Sequence, residues 1–248
     1  MRSARPVLAL LHGWGMNARV FDALAARLAV DFELRLLDLP GHGGRAALAD
    51  NTLDSWGDDL ARQLPAGAVV VGWSLGGQVA MRAALDHPET IGRLVLLAST
   101  PKFVADGGWA GGLAIGELEA FGAALMSDPE ATLVRFLSLQ TRGMPGQKAL
   151  LQQLRQTVLA APPAEAAALA AGLAILRETD LRADLPRLTQ PTLVLHGALD
   201  TLTPAAAGAW LADSLPAAQH VELARAAHAP HLSHVDEVAI AIARFAHG

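Results

Sequence analysis

The sequence predicts an α/β fold: a doubly wound, mostly parallel sheet flanked by helices, interrupted by a helical insertion. Three observations carry that expectation. Short runs that are apolar throughout, such as Val7–Leu11 and residues 69–71, 94–98 and 193–195, suit strands buried on both faces, as parallel strands are. Helical patterns recur between these runs, and strand-helix alternation implies parallel strands joined by crossover helices. One valine run also stops at Gly72-Trp73-Ser74-Leu75-Gly76 and passes directly into the helical stretch Gln78 to Leu85. That is the strand-turn-helix context in which a Gly-x-Ser-x-Gly sequence presents a serine at the carboxyl end of a sheet.

Taken in order, Val7–Leu11 is the first strand, ending in the loop His12-Gly13-Trp14-Gly15-Met16-Asn17. Val20, Phe21, Leu24 and Leu28 then fall on one helical face. Residues 34–39 form the next strand, closed by Pro40-Gly41-His42-Gly43-Gly44, and residues 53–64 are helical. At the serine turn, a Cβ on Gly72 or Gly76 would collide with the adjoining strand or helix, and Ser74 itself is expected in a strained conformation. His87-Pro88-Glu89 ends the following helix, and residues 94–98 are another buried strand. From 101 to 186 the alternation breaks into an Ala- and Leu-rich helical stretch punctuated by Gly107-Gly108, Gly111-Gly112, Gly143-Met144-Pro145-Gly146 and Pro162-Pro163. Inserted there, it would cover the carboxyl ends of the strands as a lid. Alternation resumes with a strand at 192–197, a helix at 205–215, a strand at 219–223 and a final amphipathic helix at 235–245. The expected organisation is therefore a core of residues 1–100 and 187–248, with a lid at 101–186.

A nucleophilic serine needs a base, and the base an orienting acid. Asp200 stands in a loop just past one predicted strand and His228 just past the next, both on the sheet edge that carries Ser74. Ser, Asp, His is also the chain order of such triads on this strand-turn-helix plan. His12 reads as structural, and His231 and His234 as satisfied surface or supporting groups. The backbone N–H groups of Trp14 and Leu75 are positioned to form an oxyanion hole. No His, Cys, Asp or Glu cluster has metal-ligand spacing, and no Gly-x-Gly-x-x-Gly follows a strand, so neither metal nor cofactor is expected.

Composition bounds the rest. The chain has 248 residues, 52% of them hydrophobic and 17% charged, enough for one large core. A net charge of −5 leaves no basic excess for nucleic acid. The absence of cysteine excludes disulfides and thiolate chemistry. The basic start Met1-Arg2-Ser3-Ala4-Arg5-Pro6 precedes an apolar run too short for a signal peptide, and no stretch is long and apolar enough for a membrane span. A cytoplasmic monomer is expected. Against the acidic background, no Asp or Glu falls between Glu130 and Glu165, whereas Arg135, Arg142, Lys148 and Arg155 do. The spacing predicts two basic helix faces suited to an acidic partner.

The sequence resembles the α/β-hydrolases from end to end, and within them the pimeloyl-acyl-carrier-protein methyl ester esterases of biotin synthesis. The resemblance rests on Leu11-His12-Gly13-Trp14-Gly15, Leu37-Asp38-Leu39-Pro40-Gly41-His42-Gly43, Gly72-Trp73-Ser74-Leu75-Gly76-Gly77, Phe136-Leu137-Ser138-Leu139-Gln140-Thr141, Leu199-Asp200 and Ala226-Ala227-His228-Ala229-Pro230. Trp73 is the most informative, because many relatives carry histidine there. The resemblance implies an α/β-hydrolase fold and a serine carboxylesterase that hydrolyses the methyl ester of pimeloyl-acyl-carrier protein; the alternatives are a broad-specificity short-chain carboxylesterase, a carbon–carbon bond hydrolase and a ligand-binding protein on the same scaffold. It implies Ser74 as nucleophile, His228 as base and Asp200 as its partner. Trp14, Trp73, Phe136 and Gln140 would contact the substrate. Two departures stand out: only six residues precede the first strand, where relatives have a hairpin, and Arg45 replaces a serine common after the Pro-Gly-His-Gly turn.

Overall fold

A computed structural model describes residues 5–143 and 146–248. Six strands form one sheet: β1 (Val7–Leu11), β2 (Glu33–Leu37), β3 (Ala68–Trp73), β4 (Ile91–Leu97), β5 (Thr192–Gly197) and β6 (Ala218–Leu223). Their order is β2-β1-β3-β4-β5-β6, and every neighbouring pair is parallel. This is the parallel sheet that the strand-helix alternation predicts. The chain moves outward from β1 to β2, then crosses back to place β3 on the other side of β1. At such a reversal the loops leaving adjacent strands diverge and open a crevice at their carboxyl ends.

The flanking helices are α1 (Asp22–Leu28), α2 (Leu53–Arg62), α3 (Leu75–Asp86), α8 (Ala205–Ser214), a four-residue α9 (Pro230–Ser233) and α10 (Val235–His247). Between β4 and β5 run α4 (Ile115–Ser127), α5 (Pro129–Gln140), α6 (Gln147–Leu159) and α7 (Ala166–Glu178). Helix α2 starts sharply because Thr52 and Ser55 satisfy each other's backbone N–H groups in a capping box. All six residues of β3 are buried, whereas the edge strand β6 exposes Gln219, His220 and Glu222. Those polar side chains on the edge discourage pairing with another sheet. No helix among the described residues is long and apolar enough to cross a membrane.

The second strand ends two residues earlier than the sequence pattern suggests. Leu39 N–H donates to His12 Nε2 at 3.1 Å and the Asp38 carboxylate accepts the Ala18 N–H at 2.7 Å, so this segment leaves the strand ladder to bind the first loop. Arg45 braces the same turn: it donates to the Asp38 carbonyl at 2.9 Å and to the Asp59 carboxylate at 2.6 Å. The 101–186 segment is tied down at several points. The Trp14 indole donates to the Leu169 carbonyl at 2.8 Å, Asn17 to the Val158 carbonyl at 3.3 Å, and the Glu165 N–H to the Gly41 carbonyl at 2.8 Å. Met144 and Pro145, expected to break the chain between two helices, lie outside the described residues, as do residues 1–4.

The crossing of α3 over β1 leaves no room for a side chain. A Cβ on Gly76 would lie 2.5 Å from the carbonyl oxygens of both Leu11 and His12, backbone atoms with nowhere to go. Gly76→Ala is expected to cost at least about 1–3 kcal/mol, as overpacking does. In a chain of this length each kcal/mol lowers the thermal midpoint by about 2–4 °C. Calorimetry checks this, and an unchanged midpoint would mean the helix can slide off the strand.

Candidate active site

Strand β3 delivers Ser74 to the carboxyl edge of the sheet with φ 55° and ψ −119°, a left-handed conformation unusual outside glycine. Three hydrogen bonds pin its backbone. Its N–H donates to the Leu97 carbonyl at 3.0 Å, and its own carbonyl accepts the Gly77 N–H at 2.9 Å and the Ser99 hydroxyl at 2.8 Å. Gly72 is required by closeness alone, since a Cβ there would meet the Gly76 oxygen at 2.5 Å. The strained turn therefore aims the Ser74 hydroxyl at His228, whose Nε2 lies 3.0 Å away.

His228 Nδ1 is 2.8 Å from Asp200 Oδ2. A carboxylate can only accept, so Nδ1 carries the proton, and Nε2 is left with a lone pair for the serine hydroxyl. Asp200 is fixed in turn. Its Oδ1 accepts the N–H groups of Leu202 at 2.9 Å and Thr203 at 3.0 Å, and the Thr203 hydroxyl lies 2.8 Å from Oδ2. Burial pushes the Asp200 carboxyl up, but facing His228, their hydrogen bond and His196 hold it below its ordinary value, so it is ionised. His196 lies 3.6 Å from the same oxygen, and its Nε2 is 2.8 Å from the Thr203 carbonyl.

Thr203, His196 and Ser99 were not singled out from the sequence. Thr203 had a signal, since a Thr three residues after an Asp is a common local side-chain-to-backbone pattern. Ser99 and His196 had none, being ordinary strand-end positions.

The other expected residues fall as follows. Trp73 is fully buried, and its indole donates to the His228 carbonyl at 2.8 Å, joining the base's loop to the serine's strand. Leu75 opens α3, where backbone N–H groups have no partner within the helix. Trp14 follows Gly13, at which a Cβ would lie 3.1 Å from the Ser74 Cβ, so this loop runs against the serine. The Trp14 ring meets Phe121 and Phe136 edge-on at 5.2 and 5.0 Å. These rings, with Phe103, Leu202 and Arg135, line a cavity of about 330 Å³. Gln140 ends α5, almost wholly buried, with its Oε1 unpartnered among the described residues. A larger cavity, about 760 Å³, opens at the amino ends of β4 to β6 beside Arg93 and Arg244, the opposite end of the sheet from Ser74.

Arg135, Arg142, Lys148 and Arg155 are all exposed, and none pairs with a carboxylate among the described residues. One expectation needs correction: Arg142 is not helical, because α5 ends at Gln140 and the chain turns through Gly143 at φ 79°. His231 also departs from expectation. It is fully buried, its ring 4.4 Å from Trp73 and 4.9 Å from Phe21, and neither ring nitrogen has a partner among the described residues. His12 is buried, with Nδ1 2.8 Å from the Gly13 carbonyl. Among the described residues no group of side chains could hold a metal ion.

A family model described as the alpha/beta hydrolase family matches residues 8–241. A protein of Nitrosomonas europaea named pimeloyl-[acyl-carrier protein] methyl ester esterase is 44% identical over 228 residues, covering 92% of this chain and 90% of that one. One of the same name from Aromatoleum aromaticum is 42% identical over 243 residues, covering 96% and 97%. Among solved structures, an esterase from Exiguobacterium antarcticum superposes with a TM-score of 0.89 over 99% of this chain and 93% of that one, at 21% identity. A hydrolase from Pseudomonas aeruginosa gives 0.82 over 98% and 91%, at 29% identity.

His231 makes the fold acid-sensitive. Burial, followed by the nearby His228, lowers its pKa from 6.5 to about 3. The unfolded chain therefore binds a proton that the folded chain refuses, and stability falls as pH drops from 6.5 toward 3, by up to about 1.4 kcal/mol per pH unit. His231→Phe is expected to raise the thermal midpoint over wild type below pH 6, with the gap shrinking above pH 7. Parallel midpoint-against-pH curves for the two proteins would show that His231 takes no part.

Proposed function

Because the chain belongs to the alpha/beta hydrolase family, we propose that it is a serine carboxylesterase removing the methyl ester from pimeloyl-acyl-carrier protein in biotin synthesis. The observation that carries this is the hydrogen-bonded line from Ser74 through His228 to Asp200, at distances of 3.0 and 2.8 Å. The names of relatives more than 40% identical over nine-tenths of the chain supply the substrate.

Ser74 attacks the ester carbonyl as His228 Nε2 takes the hydroxyl proton, and Asp200 stabilises the imidazolium that forms. The oxygen that becomes negative is received by the N–H groups of Leu75 and Trp14, donors that need no reorganisation during the reaction. Collapse expels methanol with the proton returned by His228. A water deprotonated by the same histidine then releases the free acid and restores the serine. No cofactor enters these steps. Residues 101–186 act as a lid over the site, with Phe136 and Gln140 on its inner side; Trp14 borders the acyl chain, and Trp73 acts through His228. The enzyme works as a cytoplasmic monomer.

Ser74→Ala is expected to lower kcat by on the order of 10⁶, and Asp200→Asn by about 10⁴ through loss of the working tautomer. A p-nitrophenyl ester assay reads both. A serine variant keeping a hundredth of wild-type activity would remove Ser74 as nucleophile.

The unpaired cations of the lid support an acidic carrier as partner. Rim charges of this kind act mainly on the association rate and weaken with salt. Reversing Arg142, Lys148 and Arg155 to glutamate is expected to raise KM for the carrier-linked ester at low salt, while kcat/KM for a small free ester holds. Equal losses on both substrates would leave a general carboxylesterase. Rescue of a biotin-requiring strain lacking its esterase tests the pathway directly.

A further inference from the structure

The Thr203 hydroxyl stands among four buried polar groups. It lies 2.8 Å from Asp200 Oδ2, 3.1 Å from the Ala98 carbonyl, 3.2 Å from His228 Nδ1 and 3.3 Å from His196 Nε2. The rest of the residue is held in place, since its N–H goes to Asp200 Oδ1 at 3.0 Å and its carbonyl lies 2.8 Å from His196 Nε2. A carbonyl only accepts, so Nε2 carries the His196 proton. The hydroxyl itself has one proton and two acceptors within reach, Asp200 Oδ2 and the Ala98 carbonyl. The carboxylate is both closer and charged, and charge-assisted hydrogen bonds are the shorter and stronger kind. The proton goes to Asp200.

We propose that Thr203 is a positioning residue of the esterase: its hydroxyl shares Asp200 Oδ2 with His228, and so sets how tightly the carboxylate holds the imidazolium and how acidic a solution the enzyme tolerates. This rests on the esterase reading of Ser74. The other titratable groups facing the pair are His196 at the end of β5, 3.6 Å from Asp200 Oδ2, and His231 of α9, on which His228 acts. His220 acts on His196 in turn from β6, where Glu222 is the ladder partner of His196. Burial holds His196 and His231 below the ordinary histidine value, and no lysine or arginine pairs with Asp200 among the described residues. The charge on Asp200 is therefore spread by hydrogen bonds, and hydrogen bonds to a charged form favour it. Without the hydroxyl, Oδ2 turns its charge on His228 with less competition. The imidazolium is held more tightly, and the base fills with a proton at a higher pH.

The test is the pH profile of kcat/KM on p-nitrophenyl butyrate for wild type, Thr203→Val and Thr203→Ser. Valine keeps the branched shape and removes the hydroxyl. Its acid limb is expected to move to higher pH by on the order of half a unit, which is about a threefold loss at any pH below the limb. Serine, which keeps the hydroxyl, brings the limb back toward wild type. Thr203→Ala is read in the same way if the valine variant fails to fold. A threonine that only braced its loop would lower the thermal midpoint or the plateau rate and leave the limb in place, so an unmoved limb in an active variant overturns the proposal. A limb displaced to lower pH overturns it too, because the hydroxyl proton then belongs to Ala98 and Thr203 accepts from His228. A displacement that serine fails to reverse does the same. All three outcomes spare the esterase reading, whereas a wild-type protein inactive on the ester overturns both.

Discussion

The structure depends on a backbone held where it would not rest by itself. Ser74 and Ala98 are the two non-glycine residues with positive φ among those described, at 55° and 46°, and they sit side by side at the ends of β3 and β4. Such conformations cost about 1–3 kcal/mol each. Repayment comes from a compact set of bonds: Ser74 N–H to Leu97, Ala98 N–H to Leu195 at 2.8 Å, and the Ser99 hydroxyl back to the Ser74 carbonyl. The strain of one residue thus positions the group that restrains the other. Even the glycines obey this arrangement, since a Cβ on Gly77 would strike Ser99 Oγ at 2.3 Å.

A second constraint is electrostatic. An aspartate buried as deeply as Asp200 would ordinarily take up a proton. Here every lone-pair direction is used: two backbone N–H groups on one oxygen, and the Thr203 hydroxyl with the His228 ring on the other. The backbone donors, Leu202 and Thr203, lie two and three residues beyond Asp200, so the loop that places the acid adds to what His228 does to keep it ionised. His196 lies 3.6 Å from the same carboxylate, and burial pushes its own pKa below the ordinary histidine value.

Strand and helix periodicity, together with the Gly-x-Ser-x-Gly turn, made the sheet, its flanking helices and the Ser74, Asp200 and His228 loops legible in the sequence. Each of those residues lies just past an apolar run, and parallel topology forces such positions to one edge. What periodicity could not supply was anything fixed by a distant partner. The early end of β2 depends on His12, and the burial of His231 depends on Trp73 and Phe21, from three separate parts of the chain. The non-helical place of Arg142 depends on a local turn at Gly143, where helix propensity gives only a soft boundary.

Trp14 shows why the site and the helical segment above it cannot be separated. Its backbone lies in the loop against Ser74, its indole N–H is bound to Leu169 of α7, and its ring packs on Phe121 of α4 and Phe136 of α5. A Cβ on Gly172 would strike the Trp14 ring at 2.6 Å, so α7 approaches it as closely as a helix can. One residue therefore joins the catalytic loop to three helices of the covering segment. Any shift of those helices is felt first at Trp14, and through its loop at the serine. The proposed oxyanion donor and part of the wall of the cavity of about 330 Å³ are the same residue, so neither can move without the other.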